Sequence, residues 1–235
     1  MLGWVLTIAA LSGCAAPPVA APGAGQGPAA PLTPSPFVGQ PFDVVPGRSR
    51  LIALVYRTGP LARLGHNHVV ACRCLTGTVY LPRDPLRASF DVRIAVNQLT
   101  VDDSALRAAE HSTDFPPDVP QSARRGTRHN MLGAALLDAA KYPHIELRSA
   151  GLRPSPDGRG DDIVAEVLVQ VAGERHPVAV PMHYEVRPDE IVATGEFPLE
   201  QTDIGLTPFS AAGGALRVRN GMRIRLRLVA KRRGS

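Results

Sequence analysis

The sequence predicts a mainly β protein, an antiparallel sandwich or barrel with one or two helices inserted across one end. Segments in which apolar and polar residues alternate indicate strands with one buried face, and residues 90–96 give the clearest example. Glycine, proline and aspartate separate these segments at short intervals, which is typical of antiparallel all-β folds. Residues 130–149 differ, because they combine a helical period with a strand period.

The helical insertion is centred on residues 130–149. Leu132, Leu136 and Ala139 recur at helical spacing, and Pro143 cannot continue a helix. The residues after this proline alternate as in a half-buried strand. This stretch therefore predicts a helix that crosses one end of a β structure and leads back into it.

The remaining elements follow from the same patterns. Asp102 and Asp103 supply N-cap chemistry for a short helix. The elements predicted in the first half are strands at residues 51–56, 75–81 and 90–96 and helices at 104–110 and 122–140. Those of the second half are strands at residues 163–171, 176–184, 191–199 and 222–228.

Three regions divide the chain of 235 residues. Residues 1–13 are an apolar targeting segment that is too short to span a bilayer. Its end, up to Cys14, resembles a bacterial lipobox, which implies cleavage before Cys14 and acylation there; a plain secretory signal is the alternative. Residues 14–47 are rich in Ala, Pro and Gly and predict a tether without a core. Residues 48–232 are the predicted folded domain.

The charge balance excludes some functions. The net charge is +5, but the sequence has no long basic run and no stretch in which basic and aromatic residues are interleaved. It therefore does not indicate nucleic-acid binding. The sequence contains no GxSxG, P-loop or HExxH motif, so an enzyme is not expected. The arginines of the last strand, at 223, 225 and 227, predict a solvated outer face, with phosphate or headgroup contact as the alternative.

A polar stretch at residues 64–74 carries the most suggestive chemistry. His66 and His68 are two residues apart and would point the same way on a strand, as would Cys72 and Cys74. One interpretation is a metal site formed by these four residues. Another is a polar cluster at a barrel mouth, with His129 as a third histidine and the cysteines as small core residues. In an exported protein the thiols could instead be oxidised.

Five short pieces of the sequence carry a further signal, namely Ser49-Arg50 and residues 99–102, 137–143, 173–181 and 201–206. Together, in this order and spacing, they resemble the YceI-like family of bacterial periplasmic isoprenoid-binding proteins. The resemblance implies an extended lipocalin-like barrel of about eight strands. It also implies a lumen that holds a polyprenyl chain or a quinone-type lipid, with no other cofactor.

We therefore expect a lipid carrier that is tethered to a membrane and faces the periplasm. The anchor would lie in the outer membrane if Ala15 directs sorting. A metal-binding envelope protein and a structural module with a filled core are the alternatives. His66, Asn67, His68 and His129 are the expected polar cluster at the mouth. The residues expected to line the lumen are Tyr56, Phe90, Val92, Ile94, Ile145, Leu147, Val167, Val169, Val180, Met182, Tyr184, Phe197, Leu226 and Leu228.

Overall fold

The computed structural model describes residues 32–156, 158, 160 and 162–234. The targeting segment, Cys14 and most of the expected tether therefore lie outside the described residues. The described chain contains two α-helices, α1 (Ser104–Ala108) and α2 (Gln121–Leu132). Its strands are β1 (Gln40–Val44), β2 (Arg50–Thr58), β3 (His68–Cys72), β4 (Leu75–Leu81), β5 (Ser89–Ala95), β6 (Thr100–Val101), β7 (His144–Pro154), β8 (Asp162–Val171), β9 (Glu174–Arg187), β10 (Glu190–Glu200), β11 (Ser210–Ala211) and β12 (Leu216–Arg232).

Eight of these strands form a closed antiparallel barrel, which confirms the predicted fold class. The ring runs in the order β1, β4, β5, β7, β8, β9, β10 and β12, and β12 pairs with β1 to close it. At the closure, Phe42 lies opposite both Val79 of β4 and Arg232 of β12. The alternating segments predicted a strand at 75–81, and β4 has these bounds.

Strand β1 extends the folded domain toward the N-terminus. The composition predicted that residues 14–47 belong to the tether. However, Gln40–Val44 forms one strand of the barrel wall, and Phe42 and Val44 are buried. Pro41 inside this short segment and Pro46 just after it conceal its pattern of alternating burial. The folded part of the chain therefore begins before residue 48.

The long strand β12 has two neighbours on the same edge. Its last residues pair with β1, whereas its earlier residues, from Arg217 to Arg227, pair with β2. Strand β3 pairs with β2, and the short β6 pairs with β3. This extension brings the His66–His68 stretch, Asp102 and α1 to one end of the barrel.

Both predicted helices form, but the second ends early. Asp103 caps α1 by accepting a hydrogen bond from the Leu106 amide at 3.0 Å. Helix α2 stops at Leu132, because Gly133 leaves the helical conformation at its C-terminus. The expected continuation to residue 140 is wrong. Instead, consecutive turns follow, in which the amides of Leu136 and Asp138 donate to the Gly133 carbonyl.

The buried apolar residues form two clusters. The larger one lines the barrel interior, with buried residues from every strand of the ring except β7, whose apolar residues are partly buried against it. The smaller one lies on the other face of β2 and β3, where Ile52, Leu54, Val69 and Ala71 pack against Phe115. None of the described helices is long and apolar enough to cross a membrane.

Candidate functional site

The barrel encloses a cavity of about 610 Å³, whose wall is mostly aliphatic. All but one of the expected lumen residues line it. That these residues contact a bound ligand stays a prediction. The residues so placed are Phe90, Val92, Ile94, Ile145, Leu147, Val167, Val169, Val180, Met182, Tyr184, Phe197, Leu226 and Leu228.

Tyr56 is the exception, and its assignment to the lumen is wrong. On β2 the residues that line the cavity are Leu51, Ala53 and Val55. Successive side chains of a strand point to opposite faces, so Tyr56 lies on the outer one. There its ring packs edge-on against Phe115, with the ring centroids 5.7 Å apart.

The arginine and histidine side chains of the cavity wall lie at one end of the barrel. Arg57 and Arg217, which we call the rim arginines, line the cavity here together with His66 and His68. The two arginines are on neighbouring strands, because Arg217 is opposite Thr58 across β12 and β2. Leu64 also lines the cavity here and is 70% exposed, so this end reaches solvent.

His66 and His68 share one acceptor, the buried carboxylate of Asp102. The Asp102 Oδ2 atom lies 3.1 Å from His66 Nε2 and 2.8 Å from His68 Nδ1. The two-residue spacing brings the rings together as the sequence predicted, with centroids 4.5 Å apart. Asp102 itself is 0% exposed and has a left-handed backbone, with φ of 55°.

Arg107 provides the counter-charge for Asp102 inside the protein. It is also 0% exposed, and its Nη1 atom lies 2.6 Å from Asp102 Oδ1 and 2.6 Å from the carbonyl oxygen of Asn67. Its Nε atom donates to the Pro116 carbonyl at 2.6 Å. We call His66, His68, Asp102 and Arg107 the His–Asp–Arg cluster.

Hydrogen bonds decide the ionisation of Asp102. Burial alone would raise the pKa of its carboxyl group, but hydrogen bonds from His66, His68 and the Val69 amide outweigh burial and hold the pKa well below its usual range. The carboxylate is therefore charged and can only accept hydrogen bonds. It follows that His66 Nε2 and His68 Nδ1 both carry a proton and donate it.

Asn67 and His129 do not join this cluster as expected. Asn67, the residue before β3, is buried, and its side chain accepts from the Arg57 amide at 2.9 Å and donates to the Asp114 carbonyl at 3.1 Å. His129 is exposed on α2 and does not line the cavity. The sequence interpretation missed Asp102 and Arg107, because it explained the Asp102-Asp103 pair by helix capping alone.

The four-residue metal site is also wrong. Cys72 and Cys74 are joined in a disulfide, so neither offers a thiolate to a metal. The described residues contain instead a group of three potential ligands, His66, His68 and Asp102, whose ligand atoms lie within 4.8 Å of one another. Arg107 beside the carboxylate already supplies the positive charge that a cation would bring, which weakens a metal reading of this group.

The closed eight-stranded antiparallel barrel around an apolar cavity places the chain in the class of lipocalin-like barrels. A model of the YceI-like domain matches residues 64–230, more than half of the chain. The chain belongs to the YceI-like family. A search of curated proteins gives no significant match.

Three solved structures are similar to this chain at low sequence identity. BcnA from Burkholderia cenocepacia is 15% identical, with a TM-score of 0.57, and the match covers 80% of this chain and 99% of BcnA. A polyisoprenoid binding domain from Saccharophagus degradans is 10% identical over 82% of this chain and 98% of that domain, with a TM-score of 0.48. A YceI protein from Campylobacter jejuni is 9% identical over 68% of this chain and 81% of its own, with a TM-score of 0.46.

Proposed function

We propose that the protein is a membrane-tethered carrier of the bacterial envelope, which binds a long isoprenoid or quinone-type lipid in its barrel and catalyses no reaction. The observation that carries this proposal is the cavity of about 610 Å³ with an almost wholly aliphatic wall. A volume of a few hundred cubic ångströms is the usual size of a small-molecule site. The YceI-like domain favours the same ligand class.

Burial of the chain would supply the affinity. Each CH₂ group that moves from water into an apolar site contributes about 0.8 kcal/mol, so ten of them give about 8 kcal/mol before the cost of association. Specific polar contacts are not needed along the lumen. Selectivity would then depend on the length of the cavity and on the polar side chains at its solvent-exposed end.

The first experiment is native mass spectrometry of the full chain with Cys14→Ala, purified without detergent from the envelope of the producing bacterium. The substitution removes the expected acylation site, so a stoichiometric lipid in an organic extract is not the acyl anchor. A stoichiometric isoprenoid is the expected result. An empty protein that holds one metal ion, lost on His66→Ala, would overturn the carrier proposal.

A matched pair of substitutions locates the lipid. Ala193→Trp places a large ring in the cavity wall, whereas Ala179→Trp places it on the exposed face of the neighbouring strand. We expect the first variant to lose at least half of its bound lipid and the second to keep it. Equal lipid content in two well-folded variants would show that the lipid is not held in the barrel.

The tether is tested separately. Radiolabelled palmitate should be incorporated into the unmodified chain and not into the Cys14→Ala variant. If neither chain incorporates the label, the protein is not acylated at Cys14, and the proposal reduces to an exported carrier without an acyl anchor. This outcome would remove the membrane tether from the proposal without affecting lipid binding.

A further inference from the structure

Two large apolar side chains are exposed where the cavity reaches solvent. Leu64 is 70% exposed and Phe209 is 39% exposed, and both line the cavity. Leu216 and Val218 of β12, which are half-buried, line it beside them. The aliphatic wall of the cavity therefore continues onto the outer surface of the protein at this end. Exposed apolar side chains that lie together are typical of a surface that contacts a partner.

Backbone pairing holds together the two segments that carry these side chains, residues 57–66 and residues 204–219. The Leu61 amide donates to the Ala215 carbonyl at 2.9 Å. Within the second segment, β11 directly follows Phe209 and pairs with the start of β12. The two exposed apolar side chains therefore belong to one continuous surface.

The same two segments carry no negative charge. Neither residues 57–66 nor residues 204–219 contain an aspartate or a glutamate. Their arginines are all exposed, namely Arg63, Arg219 and the rim arginines. Two acids follow at the end of β10, but Glu200 accepts a hydrogen bond from the Asn220 side chain at 2.8 Å, and Asp203 accepts one from the Glu200 amide at 3.3 Å. We call Leu64, Phe209 and the four arginines the mouth surface.

We propose that the mouth surface docks on a bilayer that contains anionic lipids, with Leu64 and Phe209 inserted at the boundary between headgroups and acyl chains. Apolar side chains flanked by basic ones are the combination by which proteins bind a membrane surface. Each basic side chain near an anionic bilayer strengthens binding about fivefold. A bilayer fits both features, because its interior accepts the apolar side chains and its headgroups, outside the cavity, attract the arginines.

Docking in this orientation joins the cavity to the bilayer. Leu64 and Phe209 both line the cavity and project from the surface, so a lipid chain would move between the acyl region and the lumen along apolar side chains. This inference rests on the proposed function, because transfer matters only to a lipid carrier. Docking itself can be measured without a guest.

The test uses tryptophan fluorescence as a local reporter. Trp4 is the only tryptophan of the chain, so Trp4→Phe/Phe209→Trp in the full-length Cys14→Ala protein places a single reporter in the mouth surface. On vesicles that contain phosphatidylglycerol, its emission should shift to the blue, and brominated lipids should quench it. Any attachment of the vesicle through the N-terminal segment does not by itself change the surroundings of this reporter.

Trp4→Phe/Phe37→Trp in the same protein is the matched control. Phe37 is 45% exposed, does not line the cavity and stacks on Tyr80, which lies opposite Pro41 on β1. We expect no blue shift and no quenching at this position. A reporter that inserts at position 37 and not at position 209 would overturn the proposal.

Two double variants of equal charge test the arginines in the Phe209→Trp reporter. Arg63→Gln/Arg217→Gln should raise the vesicle concentration at half-maximal shift by at least about tenfold. Arg223→Gln/Arg227→Gln removes two exposed arginines farther along β12 and should change it by less than about twofold. Equal effects of the two double variants, or an equal shift on vesicles of phosphatidylcholine alone, would overturn the assignment to an anionic surface.

The outcomes separate docking from lipid carriage. A Phe209→Trp reporter without any shift, in a folded protein that still holds stoichiometric lipid, would overturn the docking surface and leave the carrier standing. A reporter that inserts as expected, in a protein that holds no lipid when purified from its own envelope, would support the docking surface and overturn the carrier.

Discussion

Replacement of Asp102 by asparagine is the sharpest test of the His–Asp–Arg cluster. The substitution keeps the shape of the side chain and removes its charge. Arg107, which is 0% exposed, would then remain as a buried cation without a counter-charge. His66 and His68 would each lose a charged acceptor.

The expected cost is large for a single substitution. Removal of one partner of a buried ion pair typically costs about 3–5 kcal/mol. For a domain of this size, 1 kcal/mol corresponds to about 2–4 °C in melting temperature, which predicts a decrease of about 6–20 °C. The assay is the free energy of unfolding of full-length Asp102→Asn in urea at pH 7, monitored by circular dichroism.

Asp103→Asn is the matched control. Asp103 is exposed and caps α1, and asparagine caps helices about as well as aspartate, so a change of less than about 0.5 kcal/mol is expected. A cost below about 1 kcal/mol for Asp102→Asn, or equal costs at the two positions, would refute the reasoning from the buried pair.

The pH dependence adds a second check on Asp102. Its pKa is lowered in the folded state, so the unfolded chain takes up the proton first as the pH falls. The stabilisation is therefore complete above about pH 4, the usual pKa of aspartate, and decreases as the pH falls further. We expect the difference in unfolding free energy between the unsubstituted chain and Asp102→Asn to narrow below pH 4. A constant difference from pH 7 to pH 3 would contradict the lowered pKa.

Further predictions concern the barrel wall. Gly77→Ala should destabilise the protein by at least about 2 kcal/mol in urea unfolding, because φ is +136° and a Cβ atom would lie within 2.1 Å of the Asp91 carbonyl oxygen. Gly126→Ala, in the middle of α2 with open space around it, should stabilise it by about 0.5–1 kcal/mol, and a loss there would count against the described helix. Phe115→Ala should cost about 3–5 kcal/mol without changing the lipid content, because Phe115 is buried outside the cavity. A lower lipid content in folded Phe115→Ala would show that the two apolar clusters are coupled.

The alternation of apolar and polar residues along the strands is the feature of the sequence that predicts most of the fold. The residues predicted to face inward on β5, β7, β8, β9, β10 and β12 line the cavity, because apolar and polar residues alternate along most of these strands. Tyr56 was misplaced, since the six residues from Leu51 to Tyr56 are all apolar and give no sign of which face is inward. One face of β2 lines the cavity, and the other packs against Phe115 in the smaller apolar cluster.

The polar site was only half predictable. The spacing of His66 and His68 indicates a shared direction, but their common acceptor lies 34 residues beyond His68 in the chain. An aspartate before a short helix is explained by capping, and only the three-dimensional arrangement shows that Asp103 caps while Asp102 is buried. Arg107 gave no signal, because arginines on short helices are usually solvated.

Closure of the ring sets an order for folding. The contact that completes the barrel joins Phe42 to Arg232, at opposite ends of the described chain. A contact between such distant residues requires a long loop to close, and folds dominated by distant pairings form slowly. The ring cannot be completed until the last strand has been synthesised. Until then, the inward apolar residues of β4 to β10 have no closed barrel in which to be buried.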